Sequence, residues 1–231
     1  MSELFQIVPA GDTAFLVEFE NRLDVGINQR VVALWHSLEG LHLPGVRDLV
    51  PAYRSLGVYF DPLRTDVERL LGVLESAAAA TAISPEPVAD SIRVEVCYGG
   101  DLGPDLDAVA AWAGLTVDEV VGAHTAPVYR VFMIGFSPGF AYMGAVDQRI
   151  ATPRRDTPRL KVPAGSVGIA GLQTGIYPSE TPGGWMLLGR TAIRPFDPSR
   201  TPACLFKAGD RVRFEAISRA EYDRRIGAEA T

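Results

Sequence analysis

The residues best equipped for chemistry lie between positions 124 and 185. Gly135-Phe-Ser-Pro-Gly-Phe-Ala-Tyr142 sets Gly135, Pro138 and Gly139 among three aromatics, Phe136, Phe140 and Tyr142. Glycine reaches backbone conformations closed to other residues, so such a segment can lie close against a ligand. The same composition also makes a barrel corner whose aromatics belong to the core, because Gly and Pro punctuate most loops.

A basic stretch follows: Arg149, Arg154, Arg155, Arg159 and Lys161, with Asp156 the single acid among them. Guanidinium groups suit two-pronged binding of a carboxylate or phosphate. Pro153, Pro158 and Pro163 hold the loop extended and limit the entropy lost on binding. A solvated charged face or a subunit contact accounts for the same residues.

Gly165–Tyr177 and Thr181–Trp185 are glycine-rich and can present backbone N–H groups to an anion. Neither GxxxxGK[ST] nor GxGxxG is present, so this is not a standard nucleotide loop. Gln173 and Thr174 are candidate polar contacts there, and Tyr177, Gly183 and Gly184 candidate pocket walls. Trp185 fits a core or interface position better than a catalytic one. His124 stands between a helical stretch and Pro127, where a histidine can serve as general base or as a structural cap. No HExxH occurs, and no self-contained hydrolase site announces itself. Cys97 and Cys204 are far apart and in no metal-type cluster, which argues for reduced, buried thiols and against a zinc site.

The elements that must position these residues fall into two parts. Leu4–Pro9 and Ala14–Phe19 read as strands around a Gly-Asp turn. Ile27, Val31, Leu34, Trp35 and Leu38 recur at helical spacing up to Gly40. Val46–Val50 and Leu56–Phe60 are short strands, and a helix starts at Thr65 with Glu68 in capping-box position. With Ile92–Cys97 as a closing strand, this predicts a small N-terminal α+β sandwich over residues 1–82. Thr81–Asp90, polar with two prolines, reads as a linker. Residues 83–231 open with helices near Asp105–Ala113 and Val117–Ala123, the second after a Thr116/Glu119 capping box. Short apolar runs among Gly and Pro then predict a β-barrel or sandwich with long loops. The fold class is α+β.

The chain has 231 residues, 47% hydrophobic, with a formal net charge of -6, enough to bury a core and too acidic for general nucleic-acid binding. The N-terminus shows no signal-peptide pattern, and no run of 18 apolar residues suggests a membrane span. A cytoplasmic location is expected.

Several segments together resemble the KipI / allophanate hydrolase subunit 1 family, whose bacterial members include the 5-oxoprolinase subunit PxpB. They are GDTAFLVEF (11–19), His124 with Tyr129, GFSPGFAYMG (135–144), PRRDTPRLKVPAGSVGIAGLQTGIYP (153–178), TPGGWMLLGRT (181–191) and KAGDRVRF (207–214). The resemblance covers nearly the whole chain. It implies an N-terminal α+β domain and a C-terminal cyclophilin-like β-barrel. It also implies a PxpC-like partner (allophanate hydrolase subunit 2) in a heterodimer or heterotetramer, and a PxpA-like third protein. Together these would open 5-oxoproline to glutamate with ATP and Mg2+, through a phosphorylated imidate. Under that reading His124, Arg155 and Lys161 are catalytic candidates. Gly135, Phe136, Pro138, Gly139, Phe140, Tyr142, Arg154, Arg159, Gln173, Thr174, Tyr177, Gly183, Gly184 and Trp185 would bind substrate or nucleotide. No metal site is expected in the chain itself. Three other readings compete: a KipI-like inhibitor of a sensor histidine kinase, a carboxyltransferase half of a urea carboxylase or allophanate system, and, from the barrel alone, a prolyl isomerase.

Overall fold

The computed structural model describes residues 5–81 and 91–229. It forms two compact units, Met1–Val88 and Ala89–Thr231. The expected boundary at 82/83 and all but Thr81 of the expected linker lie outside the described residues.

In the first unit the order is β1 (Gln6–Pro9), β2 (Ala14–Glu18), α1 (Val25–Glu39), β3 (Val46–Pro51), β4 (Ser55–Phe60) and α2 (Val67–Ala80). The strands form an antiparallel sheet in the order β1-β2-β4-β3. Every second residue of β2 and β4 (Phe15, Val17; Leu56, Val58, Phe60) faces the helices, as the pleat requires. Ile27, Val31, Leu34 and Leu38 return the contact from α1, and Leu70, Leu74 and Ala78 from α2. The second helix is capped one residue later than its sequence signal. Asp66, not Thr65, is the cap and accepts from the Arg69 N–H.

The second unit runs β5 (Ile92–Tyr98), α3 (Leu106–Ala113), α4 (Val117–Thr125), β6 (Tyr129–Ile134), β7 (Ala141–Gly144), β8 (Arg159–Val162), β9 (Ser166–Ala170), β10 (Gln173–Ile176), β11 (Thr181–Gly183), β12 (Met186–Arg190), β13 (Arg211–Ala216) and α5 (Arg219–Glu229). Seven strands close a barrel in the order β10-β7-β6-β13-β5-β12-β9, while β8 and β11 make a separate ribbon. The segment Ile92–Cys97, expected to close the first sheet, is instead a barrel strand. It pairs in parallel with β13, Val212 opposite Ile92, and antiparallel with β12. Its alternating Val94 and Val96 fill the barrel with Tyr129, Val131, Met143, Ile169, Val212 and Phe214. The capping box predicted at Thr116/Glu119 is present and starts α4. Leu106 and Val109 of α3 and Val120 of α4 belong to the same core, which fixes both helices on the barrel.

The turn from β5 into α3 matters most for the site. Gly99 and Gly100 take left-handed conformations. The Gly99 and Asp105 amides donate to the Leu188 and Leu187 carbonyls at 2.9 and 3.0 Å. A side chain at Gly103 would collide with the Leu188 carbonyl. The loop therefore lies flat on β12 and delivers Asp105 to a fixed point beneath the basic segment.

Candidate functional site

Residues 152–158 run from a short helical turn to β8 and are pinned at two points. The Gly171 amide donates to Thr152 O (2.7 Å), and the Arg155 amide donates to Gly184 O (2.8 Å). Beneath them sits Asp105, 3% exposed. Its Oδ1 accepts from Arg155 Nη1 at 3.0 Å and from Arg159 Nη2 at 2.7 Å, and its Oδ2 accepts from the Leu187 amide at 2.7 Å. Two guanidinium groups thus converge on one buried carboxylate, leaving a net positive charge. Asp105 is the residue before α3 yet makes no capping bond with its side chain. Its acceptors are occupied by the arginines and by β12.

Above this clamp a groove of about 470 Å³ opens between α3 and the loop. Ala108, Trp112, Thr152–Thr157 and Met186 line it. Trp112 is 55% exposed. Arg154 makes no hydrogen bond or ion pair among the described residues. Its charge is close enough to oppose the upward shift that burial gives the Tyr142 and Tyr177 phenols. Arg155 has its Nε on Thr157 O (3.4 Å) and its Nη1 on Asp105, which leaves Nη2 with no hydrogen bond among the described residues. The groove therefore offers one whole guanidinium and part of a second to an anion.

The remaining sequence candidates separate into three groups. Phe140, Tyr142, Tyr177 and Trp185 come together as an aromatic cluster, with ring centroids 4.8–6.5 Å apart, and pack with Val162 and Leu187. Gly183 exists for that cluster, since a Cβ there would come within 2.9 Å of the Tyr177 ring. Gly184 holds Arg155 through its carbonyl. Gly135, Phe136, Pro138 and Gly139 form the β6–β7 turn. There Phe136 adopts a φ of 64° and exposes its ring, and Gly139 at φ 81° packs against Phe196. A left-handed non-glycine residue costs free energy that surrounding structure must offset.

Other candidates are not brought to the groove. The glycine-rich Gly165–Tyr177 stretch is largely the β9–β10 hairpin of the barrel wall, so its amides serve the ladder rather than an anion. Gln173 starts β10, half-buried. Lys161 lies on the ribbon, 78% exposed, and pairs with Glu180 at 3.1 Å. His124 is fully buried in the barrel. Its Nδ1 meets Tyr98 Oη at 2.8 Å and its Nε2 meets Thr174 Oγ1 at 2.9 Å. Because Thr174 donates to Gly168 O (3.1 Å), Nε2 carries the ring proton and Nδ1 accepts from Tyr98. Burial lowers the His124 pKa to about 3. The ring is a neutral core element, and the geometry gives it no route to a ligand in the groove. Asp105, beneath the groove, and Trp112, on its wall, are positions that the motifs do not single out. Asp105 has a faint signal, an acid at a helix start behind Gly103-Pro104. Trp112 has none beyond being aromatic on a short helix.

Among the described residues no three His, Cys, Asp or Glu side chains gather as a metal site, and no helix is long and apolar enough to cross a membrane. The fold and the groove define a closed barrel that displays an anchored pair of arginines beside an exposed aromatic. The family model "Carboxyltransferase domain, subdomain C and D" matches residues 5–206, and the chain belongs to that family. The resemblance to the KipI / allophanate hydrolase subunit 1 family is borne out by close relatives. The chain is 39% identical to a 5-oxoprolinase subunit of Bacillus subtilis (strain 168), covering 96% of this chain and 97% of that one. It is 41% identical to the corresponding 5-oxoprolinase subunit of Escherichia coli O157:H7, covering 88% and 92%. Among solved structures, TTHA0988 superposes with a TM-score of 0.80 at 37% identity over 89% of this chain, which spans only 40% of that one. The urea carboxylase of Kluyveromyces lactis, at 21% identity and a TM-score of 0.76, shares the fold.

Proposed function

We propose that this chain is the PxpB-type subunit of a cytoplasmic, ATP-dependent 5-oxoprolinase. It acts with a PxpC-like subunit, as heterodimer or heterotetramer, and with a PxpA-like protein. The overall reaction is 5-oxo-L-proline + ATP + 2 H2O to L-glutamate + ADP + phosphate. The near full-length match to two proteins named as 5-oxoprolinase subunits supports the assignment. In the structure, the observation that carries it is the groove with Arg154 free and Arg155 anchored by Asp105.

A lactam is a poor electrophile. Transfer of the γ-phosphoryl group of ATP to the lactam oxygen gives ADP and a phosphorylated imidate, with Mg2+ arriving on the nucleotide. Water then adds to the activated carbon, the ring C–N bond breaks on the PxpA-like protein, and the acyl phosphate so formed loses phosphate to a second water. Negative charge spreads over the phosphoryl oxygens as transfer proceeds, and fixed cations aimed at it are the expected source of rate. Arg154 and Arg155 would seat the substrate carboxylate or the phosphates. Asp105 holds Arg155 in place, so little is spent on ordering its side chain at the moment of binding.

The test is glutamate formation from ATP and 5-oxoproline by the co-expressed proteins, each omitted in turn. Glutamate should require all three. A well-folded complex that makes none would move the reading to a kinase inhibitor or a carboxylation subunit. In the active complex, Arg155→Ala should lower kcat/KM by about 100-fold, the order seen when one fixed donor to a developing charge is removed. Arg154 is exposed, so Arg154→Ala should lower activity with an unchanged melting temperature. Wild-type activity in Arg155→Ala would remove the groove from the mechanism.

A further inference from the structure

We propose that the groove between Trp112 and the arginine loop is a nucleoside-phosphate site, with the base on the indole of Trp112 and the phosphates on Arg154 and Nη2 of Arg155. The inference rests on the reading of the chain as a subunit of an ATP-using enzyme, and it assigns the nucleotide to this subunit.

Three observations carry it. The first is an aromatic face left open on a wall of the groove. Ala108 and Trp112 are one helical turn apart on α3 and both line the groove, and the small Ala108 leaves the indole uncovered on that side. Trp112 is absent from the barrel core and from the aromatic cluster of Phe140 and Trp185, so its ring satisfies no packing role there. The second is the distribution of unused donors. Arg154 makes no hydrogen bond or ion pair among the described residues and Arg155 keeps Nη2 unbonded there, both on the wall formed by the loop, whereas Arg159 gives Nη2 to Asp105 and has its Nη1 buried. Two separately mounted guanidinium groups match an extended chain of phosphates better than a single carboxylate. The third is size. A volume near 470 Å³ lies inside the range of about 300–1,000 Å³ typical of small-molecule sites and far exceeds what a five-membered lactam needs. A planar base stacks on an aromatic face whatever its edge groups, so the site reads shape and charge rather than base identity.

The experiment is calorimetric titration of the full chain, and of its complex with the PxpC-like subunit. The titrants are a non-hydrolysable ATP analogue with Mg2+, inorganic triphosphate, and 5-oxoproline. The ATP analogue should bind once per chain and triphosphate more weakly. Trp112→Ala should weaken the analogue about ten-fold or more without changing triphosphate affinity, and Trp112→Phe should restore most of the loss. Arg154→Ala should weaken both ligands. The proposal is overturned by equal analogue affinity in wild type and Trp112→Ala in the complex. It is equally overturned if Trp112→Ala loses triphosphate as well, or if 5-oxoproline alone displaces the analogue. A complex that makes glutamate with an unchanged KM for ATP in Trp112→Ala would sink this assignment and leave the subunit role standing. Nucleotide binding that depends on Trp112, in a complex making no glutamate, would do the reverse.

Discussion

Asp105→Ala should destabilise the barrel unit by about 3–5 kcal/mol, the cost of removing one partner from a buried ion pair. The carboxylate is almost fully buried and accepts three hydrogen bonds, two of them from charged donors. Without it, Arg155 can swing toward solvent, but Arg159 is more enclosed and already has a buried Nη1 with no partner. The Leu187 amide would also be left without its acceptor. Asp105→Asn keeps an acceptor oxygen while losing the charge, and should fall between wild type and alanine. Urea unfolding followed by tryptophan fluorescence measures both. A loss below about 1 kcal/mol, the range of exposed pairs, would show that the clamp is solvated in solution. In the active complex Asp105→Asn should also raise KM, because the freed Arg155 must be ordered anew by each ligand.

The second large effect is acid instability set by His124. Its folded pKa is about 3 because the ring is buried among Tyr98, Tyr129, Thr174 and Phe214, while in the unfolded chain it returns to about 6.5. Above pH 6.5 the ring is neutral in both states and stability is unaffected. Below that pH the unfolded chain takes up a proton that the folded chain refuses. Each further pH unit then costs about 1.4 kcal/mol until pH approaches 3. Between pH 6.5 and 4.5 the loss from this one group should be on the order of 2 kcal/mol. His124→Gln should start less stable, having lost part of the hydrogen-bond relay, but its stability should fall less steeply with acid over the same range. An identical slope in the variant would place the acid sensitivity elsewhere.

Local signals are legible where local physics decides. The 27-31-34-38 spacing of α1 and the Thr116/Glu119 box are read from a few neighbouring residues, and the structure has both. The basic loop is also visible, because like charges crowded into an acidic chain stand out. Pairing at a distance is not. Ile92–Cys97 looks like any half-buried strand, and its assignment to the barrel depends on β13 more than a hundred residues later. The Asp105 carboxylate meets arginines 50 and 54 positions away. His124 looks like a general base because its type allows it. Only burial shows that its ring closes a chain from Tyr98 to the Gly168 carbonyl.

The parallel pairing of β5 with β13 also dictates when the barrel can exist. Val212 lies opposite Ile92, about 120 positions earlier, and β13 sits between β5 and β6 in the barrel wall. The first unit has its four strands in hand by Phe60 and can fold while the rest is still being synthesised. The barrel must wait for Ala216, so α3, α4 and the arginine loop all leave the ribosome before the strand that completes their platform. Closing so long a loop is slow, and during the delay β5 and β6 present open edges on which another chain could pair. The barrel that carries the groove is thus closed last, by a strand that lies beyond residue 206, where the family match ends.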